Sequence, residues 1–130
     1  MDERTITAMV AAAREARKRA YAPYSNFAVG AAALGDDGKI YAGANVENAS
    51  YGLSLCAERA AAAAAVAGGA RPISAVAVYS EPPASPCGAC REVIAELGPQ
   101  ADVIWEDGRG GYVIRKIEEL LPERFRLPNA

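Results

Sequence analysis

Histidine is missing from the 130-residue chain. That absence removes His-activated nucleophiles, His-carboxylate iron sites and two-His zinc sites at once. Cysteine is scarce, with Cys56, Cys87 and Cys90 the only three. An odd number of thiols is poor material for a disulfide framework. The opening Met1-Asp2-Glu3-Arg4 lacks a basic region followed by an apolar stretch, and does not read as secretory. Charge of one sign is not in excess, since 14 Lys and Arg stand against 16 Asp and Glu, which argues against binding a nucleic-acid backbone. No run of 18 apolar residues exists to span a membrane. The expectation is a soluble, cytoplasmic protein with neither nucleic acid nor membrane as partner.

What the chain has in quantity is alanine. Thirty positions are Ala, so the 52% hydrophobic share overstates the bulky core. The length suits one domain over residues 1–130. A chain this small buries a modest share of its surface, so some apolar surface is expected to be covered by other subunits.

Thr5 to Ala20 reads as an amphipathic helix, with Ile6, Met9, Val10, Ala13, Ala16 and Ala20 at three- and four-residue spacing. Ala22-Pro23-Tyr24-Ser25-Asn26 breaks it. Phe27–Leu34 and Lys39–Ala44, separated by Gly35-Asp36-Asp37-Gly38, form a hairpin pattern. Asn45–Ser54 is polar and irregular. Cys56–Ala67, nearly all alanine and closed by Gly68-Gly69, reads as a buried helix. Ile73–Tyr79 suits a buried strand, and the prolines of Glu81–Pro86 mark a loop. A helix over Gly88–Leu97, short strands Val103–Trp105 and Tyr112–Ile114 around the turn Asp107–Gly111, and a final helix Ile117–Leu121 complete the chain. The order α-β-β-α-β-α-β-β-α implies crossover connections and a partly parallel sheet with helices on its faces.

The chemistry starts at Pro86-Cys87-Gly88-Ala89-Cys90. Two cysteines three apart at a helix start point their sulfurs at one spot. Alone, such a pair serves redox dithiols, zinc sites or nothing at all. Cys56, at the start of another helix and followed by Glu58, favours a three-sulfur metal site. A structural zinc is normally closed by four protein ligands, and no fourth cysteine or histidine exists here. A carboxylate could close the site, but the easier reading leaves the fourth position to water, which points to a catalytic zinc. Three thiolates leave such a zinc with a formal negative charge, so helix N-termini and a cation, Arg59 or Arg91, are needed nearby. Glu58, in surroundings made almost wholly of alanine, suits a proton shuttle whose pKa is raised by desolvation.

Cys56-Ala57-Glu58 followed by Pro86-Cys87-Gly88-Ala89-Cys90 resembles the zinc nucleoside and nucleobase deaminases. Tyr21-Ala22-Pro23-Tyr24-Ser25-Asn26-Phe27, Asn45-Val46-Glu47-Asn48-Ala49-Ser50-Tyr51-Gly52 and Leu120-Leu121-Pro122 with Phe125 are similar to the small cytidine deaminases. The likeness runs from about Tyr21 to Phe125. It implies an α/β, three-layer α-β-α cytidine-deaminase-like fold with a five-stranded mixed sheet. It further implies one Zn2+ per subunit, held by Cys56, Cys87 and Cys90, with Glu58 as the catalytic proton carrier; for the hydrogen bond to a ligand sulfur, Arg59 is the first candidate and Arg91 the second. Phe27 would pack on the pyrimidine, Asn45 and Glu47 would bind the ribose, and Ala57 would contact substrate. The resemblance implies a homotetramer with shared active sites, in which a neighbouring chain contributes Ala49, Tyr51 and Phe125. The implied reaction is hydrolytic deamination of cytidine and 2′-deoxycytidine in pyrimidine salvage. One position departs from the family pattern: Glu92 stands where glutamine is usual.

Four other functions compete with this one. A blasticidin S deaminase would share the zinc box, but the intact Asn45-Val46-Glu47-Asn48 stretch favours an ordinary nucleoside. A polynucleotide-editing deaminase would need a basic groove. A non-catalytic zinc module would need a fourth protein ligand, and a thiol redox protein would leave Cys56 and Glu58 unexplained.

Overall fold

The computed structural model describes residues 1–128. Five strands form one mixed sheet in the order β2-β1-β3-β4-β5, with β1 at Val29–Gly35, β2 at Ile40–Ala44, β3 at Ile73–Ser80, β4 at Asp102–Glu106 and β5 at Tyr112–Lys116. Only β3 and β4 run parallel as neighbours. The helices are α1 at Glu3–Arg17, α2 at Ala57–Ala67, α3 at Gly88–Leu97 and α4 at Ile117–Leu120.

Side-chain alternation in the strands sorts the core into two layers. Ala32, Ala75, Ala77, Tyr79 and Ile104 face α1, whose Ile6, Met9, Val10 and Ala13 lie on one helical stripe. Their neighbours Ala31, Ala33, Val76, Val78 and Val103 face Ala61, Ala62 and Ala65 of α2 and Ile94 of α3. The expected three-layer α-β-α arrangement is therefore present. The alanines have a steric reason, because the helices lie very close to the sheet. A Cβ added to Gly43 would stand 2.4 Å from the backbone nitrogen of Ala61, and one on Gly30 would stand 1.8 Å from the carbonyl oxygen of Ala13.

Most element boundaries move by one or two residues from the sequence reading, and three of the shifts have a side-chain or pairing cause. Helix α1 begins at Glu3, because the Asp2 carboxylate caps it by accepting from the Thr5 N–H at 2.8 Å. It ends at Arg17 rather than Ala20, since Tyr21 donates to the Asn45 carbonyl and accepts from the Glu47 N–H, drawing the chain away. Phe27 is outside β1: its N–H goes to the Ser25 hydroxyl and its carbonyl accepts from the Asn45 side chain. Within the polar stretch 45–54, Tyr51–Leu53 forms one 3₁₀ turn.

The topology also places the chemistry. Strands β2 and β3 run the same way, each leads into a helix on the same face, and α2 and α3 therefore begin at the same edge of the sheet. Clefts outside the carboxyl ends of such strands are where α/β sheets bind ligands.

Candidate active site

Cys56 and Cys87 are the N-cap residues of α2 and α3, and Cys90 sits in the first turn of α3. Sequence distance is erased by the two crossovers. The Sγ atoms of Cys56 and Cys87 lie 3.9 Å apart, those of Cys87 and Cys90 3.5 Å, and all three lie within 4.8 Å of one another. A tetrahedral zinc with Zn–S bonds of about 2.3 Å requires sulfurs ~3.8 Å apart. The donor set fits zinc in spacing and softness, and it leaves a four-coordinate ion one protein ligand short.

The charge balance of the cluster is uneven. Cys56 is held down to about 5, first by the neighbouring Cys90 thiol and then by Arg59, against the opposing effect of burial. The Cys90 thiol is pushed far up by the neighbouring Cys56 sulfur, by burial and by the charge of Glu58. The Arg59 Nη2 donates to the Cys56 sulfur at 3.5 Å, and contact with this sulfur raises the arginine's own pKa. The Arg59 Nε is buried without a hydrogen-bond partner among the described residues.

Of the two candidate cations, only Arg59 reaches sulfur. Arg91 instead donates to the Pro86 carbonyl at 2.9 Å, to the Leu120 carbonyl at 3.0 Å and to the Ser85 hydroxyl at 3.2 Å. It braces the loop that delivers Cys87. Glu92 is exposed, so the departure at this position points to solvent.

Glu58, 6% exposed, lies in the first turn of α2. Burial is the main cause that raises its carboxyl above the ordinary value, and the Cys56 charge adds to it. Glu58, Ala57, Cys56 and Cys87 line a cavity of about 240 Å³ whose other walls are Ser25, Phe27, Val29, Asn45 and Glu47 on one side and Val78, Ser80, Ala84 and Ser85 on the other. It is mostly apolar with a few convergent polar groups, which suits a small planar ligand. A larger cleft of about 750 Å³ is lined by Ala95, Ile117, Glu118, Leu121 and Arg124 among others. It contains no thiol and no buried acid, so volume alone does not mark the site.

Sequence reading named Phe27, Asn45 and Glu47, and all three line the cavity. Phe27 is 37% exposed and opens into it. The Asn45 amide is already partly engaged: Oδ1 accepts from the Val29 N–H and Nδ2 donates to the Phe27 carbonyl, both at 2.9 Å. One of its amide hydrogens remains for a ligand. Glu47 accepts from the N–H groups of Tyr24 at 2.9 Å and Ser25 at 3.1 Å, and from the Ser25 hydroxyl. These bonds, the hydroxyl first, hold its carboxyl below the ordinary value of 4.5. Ser25 was not singled out from the sequence, though an Ser two residues before Phe27 and aimed at an acid is an ordinary turn device.

The remaining three sit outside the cavity. Tyr51 is 78% exposed and lines a neighbouring hollow with Tyr24, Ser25, Glu47, Asn48 and Ser54. Ala49 is exposed, and Phe125, 70% exposed, lies beside Glu92 and Glu96 on another surface. Within one chain these residues do not meet the sulfurs. Among the described residues no helix is long and apolar enough to cross a membrane.

Comparison with known proteins agrees with this geometry. The family described as "Cytidine and deoxycytidylate deaminase zinc-binding region" matches residues 3–106. The cytidine deaminase of Sporosarcina psychrophila is 44% identical over 123 residues, covering 92% of this chain and 90% of that protein. That of Halalkalibacterium halodurans is 46% identical over 120 residues, covering 90% and 91%. The crystal structure of cytidine deaminase from Burkholderia pseudomallei superposes with a TM-score of 0.86 at 48% identity, covering 96% of this chain and all of that one. With three sulfurs at zinc spacing, a buried acid beside them and this likeness over nearly the whole length, the chain belongs to the cytidine and deoxycytidylate deaminase family.

Proposed function

We propose that the protein catalyses the hydrolytic deamination of cytidine and 2′-deoxycytidine to uridine and 2′-deoxyuridine, releasing ammonia, as a step of pyrimidine salvage in the cytoplasm. The observation that carries this is the Cys56–Cys87–Cys90 cluster, two of whose sulfur-bearing residues, Cys56 and Cys87, line one cavity together with Glu58. The relatives' printed names support the substrate.

Cys56, Cys87 and Cys90 would hold the zinc. The ion supplies, when bound, activation of a water whose pKa falls from about 15.7 towards about 7. Glu58 takes a proton from that water and passes it to N3 of the pyrimidine, which makes C4 electrophilic. As the water's oxygen adds to C4, Glu58 moves the second proton to the amine. The C4–N bond breaks and ammonia leaves, so cytidine and water are converted to uridine and ammonia. Apolar walls around Glu58 keep its carboxyl from being levelled by solvent. Arg59 spreads the charge of the Cys56 sulfur. Phe27 packs on the ring, the free amide hydrogen of Asn45 and the carboxylate of Glu47 take ribose hydroxyls, and Ala57 closes the floor.

The protein works as one domain over 1–130, of which 129–130 lie outside the described residues, and as a homotetramer. Supporting the tetramer are the exposed apolar side chains of Tyr24, Tyr51 and Leu53, of which Tyr24 and Tyr51 line the hollow beside the cavity. A neighbouring chain would bring its Ala49, Tyr51 and Phe125 there. The test is ultraviolet spectroscopy of cytidine mixed with purified protein, with zinc measured on the same sample. Conversion to uridine at about one zinc per chain is expected. Absence of conversion by zinc-loaded protein overturns the reading. Chelation should abolish turnover and added zinc should restore it.

A further inference from the structure

Beyond the residues that touch substrate, the cavity depends on how its two walls are held apart. Val29 and Ser80 are the terminal pair of the β1–β3 ladder. Past that pair the chains separate: Phe27 leads one wall, and the loop from Glu81 to Ser85 leads the other. Strand hydrogen bonds no longer connect them, and loops released from a ladder are free to open.

Arg17, the last residue of α1, reaches both walls from the opposite face of the sheet. Its Nε donates to the Ala28 carbonyl at 2.9 Å, between Phe27 and Val29. Its Nη1 lies 3.4 Å from Glu81 Oε2. The other carboxylate oxygen of Glu81 accepts from the Tyr79 hydroxyl at 2.6 Å, and the guanidinium sits over the Tyr79 ring at 5.9 Å. A single planar fork therefore ties the start of β1 to the end of β3 at the point where the sheet stops doing so. An exposed ion pair alone contributes little. The charged N–H given to the half-buried Ala28 carbonyl is the stronger anchor.

We propose that Arg17 is a positioning residue that fixes the width of the substrate cavity by clamping Ala28 and Glu81; the proposal rests on the deaminase reading of that cavity. It acts on binding of the pyrimidine nucleoside and leaves the zinc and Glu58 untouched. Arg17→Ala should raise KM for cytidine and the Kd for uridine, measured by titration calorimetry, roughly tenfold. Its kcat should stay within about threefold and zinc per chain should not change, the pattern of lost uniform binding. Arg17→Lys, a point charge without the fork, should recover part of the loss.

Glu81→Gln keeps an acceptor for Tyr79 and removes the charge, so it tests the same clamp should Arg17→Ala fail to fold. It should also raise KM and Kd, and combined with Arg17→Ala it should add little, since both changes cut one linkage. Parental KM and Kd in Arg17→Ala, or in Glu81→Gln, overturn the proposal. So does a fall in zinc content, kcat and thermal stability with KM unchanged, which marks a merely structural arginine. A parent that neither converts cytidine nor binds uridine sinks the deaminase reading itself, and this is read before any variant is compared.

Discussion

Glu58→Gln isolates the proton carrier from everything else the site does. The exchange keeps size and shape, removes the ability to accept and release a proton, and leaves Cys56, Cys87 and Cys90 in place. Glu58 is 6% exposed, so water has little room to replace the lost function. General acid–base help is typically worth about 10²–10⁴-fold. At about 1.36 kcal/mol per decade this is ~3–5 kcal/mol of barrier. In the proposed reaction the same carboxyl serves both proton transfers, which places the expected loss at the upper end. The assay follows the ultraviolet absorbance of cytidine, with zinc content and uridine binding measured on the same preparation. Zinc should stay at the parental level and uridine should still bind. A Glu58→Gln protein with full zinc that converts cytidine within tenfold of the parent refutes the role.

Arg59→Gln removes the cation from the Cys56 sulfur at 3.5 Å, and zinc retention against a competing chelator should weaken by about tenfold. Gly43→Ala sets a steric clash against a gain in chain stiffness. The added Cβ would stand 2.4 Å from the Ala61 nitrogen, which is backbone and must move. Overpacking of this kind costs about 1–3 kcal/mol, against ~0.4–1 kcal/mol recovered from the unfolded chain. Net destabilisation is expected in a denaturant melt, with turnover falling because α2 carries Glu58. Ser25→Ala removes the leading bond that depresses the Glu47 carboxyl. A depressed carboxyl contributes stability above its unfolded value, here near the ordinary 4.5, and loses it as pH falls through the folded value. The variant's Glu47 should titrate closer to ordinary, so acid unfolding followed by circular dichroism between about pH 2 and 6 should begin at higher pH than in the parent.

Much of the fold is written in local periodicity. The stripe Ile6, Met9, Val10, Ala13 on α1 states which helix face is buried, the unbroken apolar run within Ile73–Tyr79 suits a strand covered on both faces, and the structure packs both accordingly. The donor set was equally legible, because a chain without histidine and with three cysteines admits few metals and one grouping. Boundaries were less so. Asp2 extends α1 by a cap, and Tyr21 shortens it by pairing with residues 45–47, a contact no short window contains.

Residue types, their order and the sulfur ligands follow from the sequence by itself, since helix and strand faces repeat over a few residues and scarce donors leave few combinations. Tertiary structure alone decided which arginine reaches sulfur. Arg59 does so from α2, while Arg91, next to Cys90 in sequence, turns to Pro86 and Leu120. It also decided that Glu92 faces solvent, that Ser25 holds Glu47, and that Arg17 meets Glu81 across 64 positions of chain. The physical reason is plainest for Ser25 with Glu47 and Arg17 with Glu81, which lie 22 and 64 positions apart. A side chain's hydrogen-bond partner depends on strand order and on where the crossovers begin, and neither is a property of its neighbours in sequence.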